Sequence, residues 1–172
     1  WGVTNATKDA RDWYKITFQD ESRTAYKYGE EWKSAERRIE EIKVKGEASF
    51  YDTVIYTHHG PVVYDRSFRS DRQDVNFALK WTAHMGSNEQ QTFLMLNRAK
   101  NHSDYNAALD HYTAPAQNFV FASASGDIAM RIQGKFPLKW KEQGKFMLDG
   151  ADPRMEWQGY IPNEQNANTL NP

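Results

Sequence analysis

Apolar and polar positions alternate with a period of two along much of the first half of this chain. In residues 12–18, Tyr14, Ile16 and Phe18 fall on one face, which predicts a half-buried strand. Residues 41–45 alternate in the same way, and Arg37, Arg38, Ile39 and Glu40 lead into them. Residues 51–56 and 61–64 are rich in β-branched and aromatic side chains, and His59, Gly60 and Pro61 between them signal a turn. Residues 12–75 are thus expected to form a small antiparallel roll with exposed charged faces. Past Asp74 the period changes. Residues 77–82 read as one more strand. Asn88 is a plausible helix N-cap, with Thr92, Phe93, Leu96 and Ala99 following at helical spacing. Residues 101–112 read as a second helix, with Tyr105, Ala108 and Leu109 on one face. Residues 118–122 and 128–132 read as strands joined by a hairpin loop over 123–127. From Gly134 onward Gly, Pro, Asn and Lys dominate, with Trp140, Phe146, Met155 and Trp157 spaced as anchors in a long irregular segment. The pattern predicts an α+β chain in two parts, 1–75 and 76–172.

Composition narrows the function classes. The chain has 172 residues, 39% hydrophobic and 14% aromatic, enough for a packed core and against disorder. A formal net charge of -1 gives no electrostatic case for nucleic acid or an anionic membrane surface. No apolar run approaches the roughly 20 residues that a spanning helix needs. The absence of cysteine excludes disulfides, thiolate chemistry and Cys-ligated zinc.

Amide hydrolysis needs a nucleophile beside a base, and donors aimed at the developing oxyanion. The chain has no nucleophile-elbow motif. His58 and His59 are adjacent, so on a strand they point to opposite faces and do not share a metal; they read as strand-end histidines. His84, His102 and His111 form no HxxxH or HExxH pattern. Asp9 and Asp12, with Thr4 and Asn5 nearby, leave two readings open: a solvated acidic turn, or hard oxygen ligands for calcium.

Residues 1–14 (WGVTNATKDARDWY) resemble the stretch that follows the nucleophile-bearing strands of penicillin acylases, which are N-terminal-nucleophile amidohydrolases. Residues 117–137 (QNFVFASASGDIAMRIQGKFP) resemble the same family further along, in matching order and spacing but for about one loop-length change between Trp81 and Asn118, and residues 57–62 (THHGPV) resemble a turn of the family. The resemblance covers most of the chain. It does not separate penicillin, cephalosporin and acyl-homoserine lactone acylases, and so leaves open antibiotic biosynthesis or acyl-homoserine lactone degradation. It implies part of an αββα sandwich carrying an inserted antiparallel roll. It implies a parent hydrolase, periplasmic or secreted, that cleaves a linear amide through an acyl-enzyme on an N-terminal Ser. The α-amino group of that Ser serves as the base.

Residue by residue, the resemblance places the backbone N–H of Asn5 in the oxyanion hole, where the family often has a small residue. It places calcium on Asp9, Asp12 and the carbonyl of Arg11, with a further carbonyl near Lys145, where the family shows Pro. No organic cofactor is implied. Trp81 matches a tryptophan of the acyl pocket region. Gln117 falls where an apolar pocket residue often sits, which suits an acyl group other than phenylacetyl. Trp1 has no hydroxyl, and the oxyanion-stabilising Asn of the family comes after the region of Asn171 and Pro172. The chain is therefore expected to be an internal piece of the nucleophile-bearing subunit, inactive alone. Its partners would be the rest of the parent and a small acyl amide. Self-association through an exposed sheet edge is also expected. The alternative is a stand-alone β-rich binding module without catalysis.

Overall fold

The computed structural model describes residues 1–65 and 75–172. Residues 66–74, inside the stretch expected to be a β roll, lie outside the described residues. The strands before the helices are β1 (Gly2–Asn5), β2 (Arg11–Lys15), β3 (Ala25–Tyr28), β4 (Glu31–Ser34), β5 (Glu36–Ile42), β6 (Phe50–Thr57), β7 (Gly60–Tyr64) and β8 (Phe77–Trp81). Helices α1 (Glu89–Leu96) and α2 (His102–Leu109) follow, and then β9 (Gln117–Ala122), β10 (Ile128–Gln133), β11 (Leu148–Asp149) and β12 (Asn168–Leu170). The described residues make a mixed α+β chain of mostly antiparallel strands with two helices.

The residues group into two compact units. One comprises Trp1–Ala10, Thr82–Trp140 and Trp157–Pro172; the other comprises Arg11–Trp81 and Lys141–Glu156. The units interleave in sequence, whereas the linear pattern suggested a boundary after residue 75.

In the first unit a four-stranded antiparallel sheet runs in the order β1-β9-β10-β12. Its core joins Leu96 of α1 and Tyr105, Ala108 and Leu109 of α2 to Tyr112, Phe119 and Ala129. The expected face of α2 is the buried one; in α1 Thr92 and Leu96 are buried and Phe93 partly so, while Ala99 falls after the helix. Both helices start at asparagine caps: the Asn88 side chain accepts from the Gln91 N–H, and that of Asn101 accepts from the Asp104 N–H at 2.9 Å. The Tyr105 hydroxyl donates to the Phe119 carbonyl at 2.9 Å, which fastens α2 to the middle of β9. The irregular C-terminal stretch is pinned by buried amides. Asn166 donates to the Gln133 side chain at 3.1 Å and to the Gly134 carbonyl at 3.2 Å, and Gln133 donates to the Tyr112 carbonyl at 3.1 Å.

In the second unit a six-stranded sheet runs in the order β11-β2-β8-β7-β6-β5, parallel between β11 and β2 and antiparallel elsewhere. Strand β2 buries Asp12 and Tyr14 and exposes Arg11, Trp13 and Lys15, so its alternation was readable. Strand β5 begins at Glu36 rather than near residue 41. It pairs with β6 from Glu36 opposite Tyr56 to Ile42 opposite Phe50, and all seven residues are exposed, so neither face leaves an apolar signal. Strands β3 and β4 form a separate hairpin, with Gly29 at φ 57 in the left-handed conformation.

Segment 141–156 joins this unit through a close approach at Gly150. Its N–H donates to the Lys15 carbonyl at 2.9 Å, and a Cβ there would lie 2.7 Å from that oxygen.

Candidate functional site

The residues implied by the family resemblance fall in both units. In the first unit, Asn5 at the end of β1 lies opposite Gln117 at the start of β9. Asn118 donates from Nδ2 to the Asn5 carbonyl at 3.3 Å and to the Thr4 hydroxyl at 3.2 Å, which ties the end of β1 to β9. Asp9 in the same unit holds the Lys139 ammonium at 2.8 Å. In the second unit, Trp81 at the end of β8 lies opposite Arg11, and the neighbouring Asp12 lies opposite Lys80. Asp12 is 2% exposed. Lys145 sits in an exposed turn, paired with Glu142 at 3.2 Å.

A second constellation, inside the second unit, was not anticipated. Strands β6 and β7 are joined by a tight turn at His58 and His59. Thr57 shapes it: its hydroxyl donates to the Gly60 carbonyl at 3.1 Å and accepts the His59 N–H at 3.2 Å. The two imidazoles end up side by side, with ring centroids 3.9 Å apart. This corrects the expectation that they point to opposite faces. Alternation belongs to extended backbone, and these residues are in the turn, where it does not hold.

The His59 ring is buried and stacks on Tyr14 at 4.0 Å. The His58 ring has Tyr26 stacked at 5.6 Å and the edge of Tyr28 at 4.4 Å. The Tyr26 hydroxyl accepts the His58 N–H at 3.0 Å and lies 2.9 Å from its Nδ1.

Glu156 meets this pair from a distant part of the chain. It follows the single turn Pro153–Met155, which Asp152 caps. Its Oε1 lies 2.8 Å from His58 Nε2 and 3.3 Å from His59 Nδ1, and its Oε2 takes the Lys80 ammonium from β8. On the far side of its ring, His59 Nε2 is 3.0 Å from the Gly150 carbonyl. A carbonyl only accepts, so Nε2 carries the proton, and in the neutral ring the lone pair is on Nδ1. Burial pushes His59 down to about 4, against a smaller upward effect of the Gly150 hydrogen bond. Burial on its own would raise the Glu156 carboxyl. Hydrogen bonds from His58 and Lys80 and the charges of His59 and Lys80 overcome it and bring the group down to about 2. Burial, together with the charges of Glu156 and Asp12, drives the Tyr14 phenol far upward, so it stays neutral.

The sequence carried one signal for this cluster, the turn chemistry of Gly60 and Pro61. Nothing local to His58 points to Glu156, 98 positions away.

A family model described as penicillin amidase matches residues 1–172. Acyl-homoserine lactone acylase QuiP from Pseudomonas fluorescens is 28% identical over 162 residues, covering 93% of this chain and 20% of the relative. Penicillin acylase 2 proenzyme from a Pseudomonas species is 26% identical over 179 residues, covering 99% of this chain and 21% of the relative. The chain thus spans about a fifth of the length of these relatives. A thermostable penicillin G acylase from Alcaligenes faecalis shares the fold, with a TM-score of 0.81 at 22% identity over 100% of this chain and 30% of that one.

Proposed function

Because this chain belongs to the penicillin amidase family, we propose that it is part of an amidohydrolase that cleaves a linear carbon–nitrogen amide bond. The observation that carries this reading is the family match along all 172 residues. In the proposed reaction the hydroxyl of an N-terminal Ser, supplied by the longer protein, attacks the amide carbonyl while its own α-amino group accepts the proton. The amine leaves with a proton, and water then hydrolyses the acyl-enzyme ester. The Asn5 N–H donates to the developing oxyanion. Its place at the end of β1, tied to β9 by Asn118, supports that role by fixing the backbone there.

Trp81 and Gln117 are each proposed, from the resemblance, to contact the acyl group, and the polar Gln117 favours an acyl chain that can accept or donate a hydrogen bond. In the parent enzyme, Gln117→Leu should shift the kcat/KM ratio toward apolar arylacetyl amides by about tenfold, the scale of one altered pocket contact. Ratios unchanged in both Gln117→Leu and Trp81→Ala would remove these two residues from the pocket.

Calcium belongs to the proposal as a structural ion. The ligands that the resemblance names, the carboxylates of Asp9 and Asp12 and main-chain oxygens at Arg11 and Lys145, are all hard oxygen donors of the kind calcium takes. Lys139 holds the Asp9 carboxylate at 2.8 Å, so the ion has to displace that ammonium. Calcium should therefore bind the parent more tightly in Lys139→Met, as read by calorimetry, and equal or weaker binding would count against these ligands.

A further inference from the structure

The His58, His59 and Glu156 cluster presents three potential ligand atoms that all lie within 4.8 Å of one another. Its geometry is unusual in one respect. His59 Nδ1 is buried and makes no hydrogen bond, yet it lies 3.3 Å from the Glu156 Oε1 atom. The other ring nitrogen is committed as a donor to Gly150. A lone pair, itself shielded from water, and a carboxylate oxygen therefore face each other. Such a contact repels unless a positive centre lies between the two atoms.

We propose that His58 Nε2, His59 Nδ1 and Glu156 Oε1 bind a divalent transition-metal cation, with zinc the best match. Two imidazoles and one carboxylate form the mixed nitrogen and oxygen set that zinc accepts, and calcium and magnesium prefer oxygen alone. With metal–ligand bonds of about 2.0–2.1 Å, neighbouring ligands of a tetrahedral zinc lie about 3.3 Å apart. The His59 and Glu156 atoms stand at 3.3 Å already, and the His58 and Glu156 atoms at 2.8 Å need to open by a fraction of an ångström.

The outer shell is of the kind that orients metal-binding histidines. The Gly150 carbonyl holds His59 by its far nitrogen, and the Tyr26 hydroxyl holds His58 by its own. His58 is partly exposed, so an ion has a way in and a fourth position open to water. Lys80 bonds the other carboxylate oxygen, Oε2, and leaves Oε1 to the ion. Its ammonium opposes the added charge, so the native site is weakened by Lys80 and strengthened by its removal.

The test is zinc titration of the full chain against a chromogenic chelator, together with the visible spectrum after loading with Co2+. One equivalent of zinc and an intense tetrahedral-type Co2+ spectrum are expected. His58→Gln and Glu156→Gln should each weaken zinc at least tenfold, since even outer-shell partners of metal ligands matter by 10–100-fold. Lys80→Met should tighten it. The Co2+ spectrum of the unaltered chain needs no variant and holds even if one fails to fold, and circular dichroism checks the others. An aqueous-type Co2+ spectrum, zinc bound equally by Glu156→Gln, or weaker binding by folded Lys80→Met would each overturn the site. Binding that survives His58→Gln and Glu156→Gln would instead reflect scattered surface histidines.

Discussion

Arg131 of β10 offers a test of what holds the first unit together. Its guanidinium is only 9% exposed. It donates to the Asp110 carboxylate at 2.9 Å, to the Asn106 carbonyl at 3.3 Å and to the Asn163 carbonyl at 3.3 Å. It thus links α2 to the segment just before β12. The ion pair looks like the main contact, but Asp110 is 59% exposed. Water screens such a pair, which leaves it about 0.2–1 kcal/mol. The two carbonyls receive charge-assisted bonds worth about 1.5–3 kcal/mol each when made, and they lose their donor if the side chain goes. Against this, Arg131 Nε is buried without a partner, and removing it relieves some of the cost of burying the guanidinium. Arg131→Met should therefore destabilise the chain by about 2–4 kcal/mol, while Asp110→Asn should cost under about 1 kcal/mol. Urea unfolding followed by circular dichroism reads both through the midpoint at constant slope. Equal losses in the two variants would mean that the ion pair dominates, and the carbonyl reasoning would fall.

Other consequences are equally specific. Gly150→Ala puts a methyl 2.7 Å from the Lys15 carbonyl and 2.8 Å from Ile16 Cδ1, so it should cost about 2 kcal/mol or more, read by thermal unfolding; a neutral result would mean that β11 moves freely away from β2. Tyr105→Phe leaves the buried Phe119 carbonyl without its 2.9 Å donor and should cost about 1–2 kcal/mol, and a loss near zero would show that the hydroxyl contributes nothing net. Strand β5 forms one edge of its sheet, with Ile39 70% and Ile42 50% exposed next to Phe50 at 60%. Light scattering at high concentration should therefore show association that Ile42→Lys reduces, and a monomer at every concentration would contradict it.

Period-two patterning was legible where one face of a strand is buried, as in β2, and illegible where neither is, as in β5. The helices were legible because Asn88 and Asn101 signal their starts and the apolar residues of α2 fall on one buried face. The joining of 141–156 to the β-rich unit was not, because it depends on a missing Cβ at Gly150, and one glycine among ten carries no address. The family-implied positions could be named only through the resemblance, since the role proposed for Asn5 is a backbone one and that proposed for Gln117 depends on where β9 puts it. The histidine pair lies in a turn, where strand alternation does not apply, and its carboxylate partner arrives through tertiary structure alone.

The most direct test of the proposed activity is hydrolysis of a panel of chromogenic acyl amides and, with the released amine measured separately, acyl-homoserine lactones. The panel would be run on a longer protein that supplies the proposed upstream Ser and downstream Asn, and on this chain alone. Turnover by the longer protein, with an acyl ester trapped on its N-terminal Ser, and none by the chain is the predicted result. Turnover by the chain alone, or a longer protein that hydrolyses no amide, would contradict it.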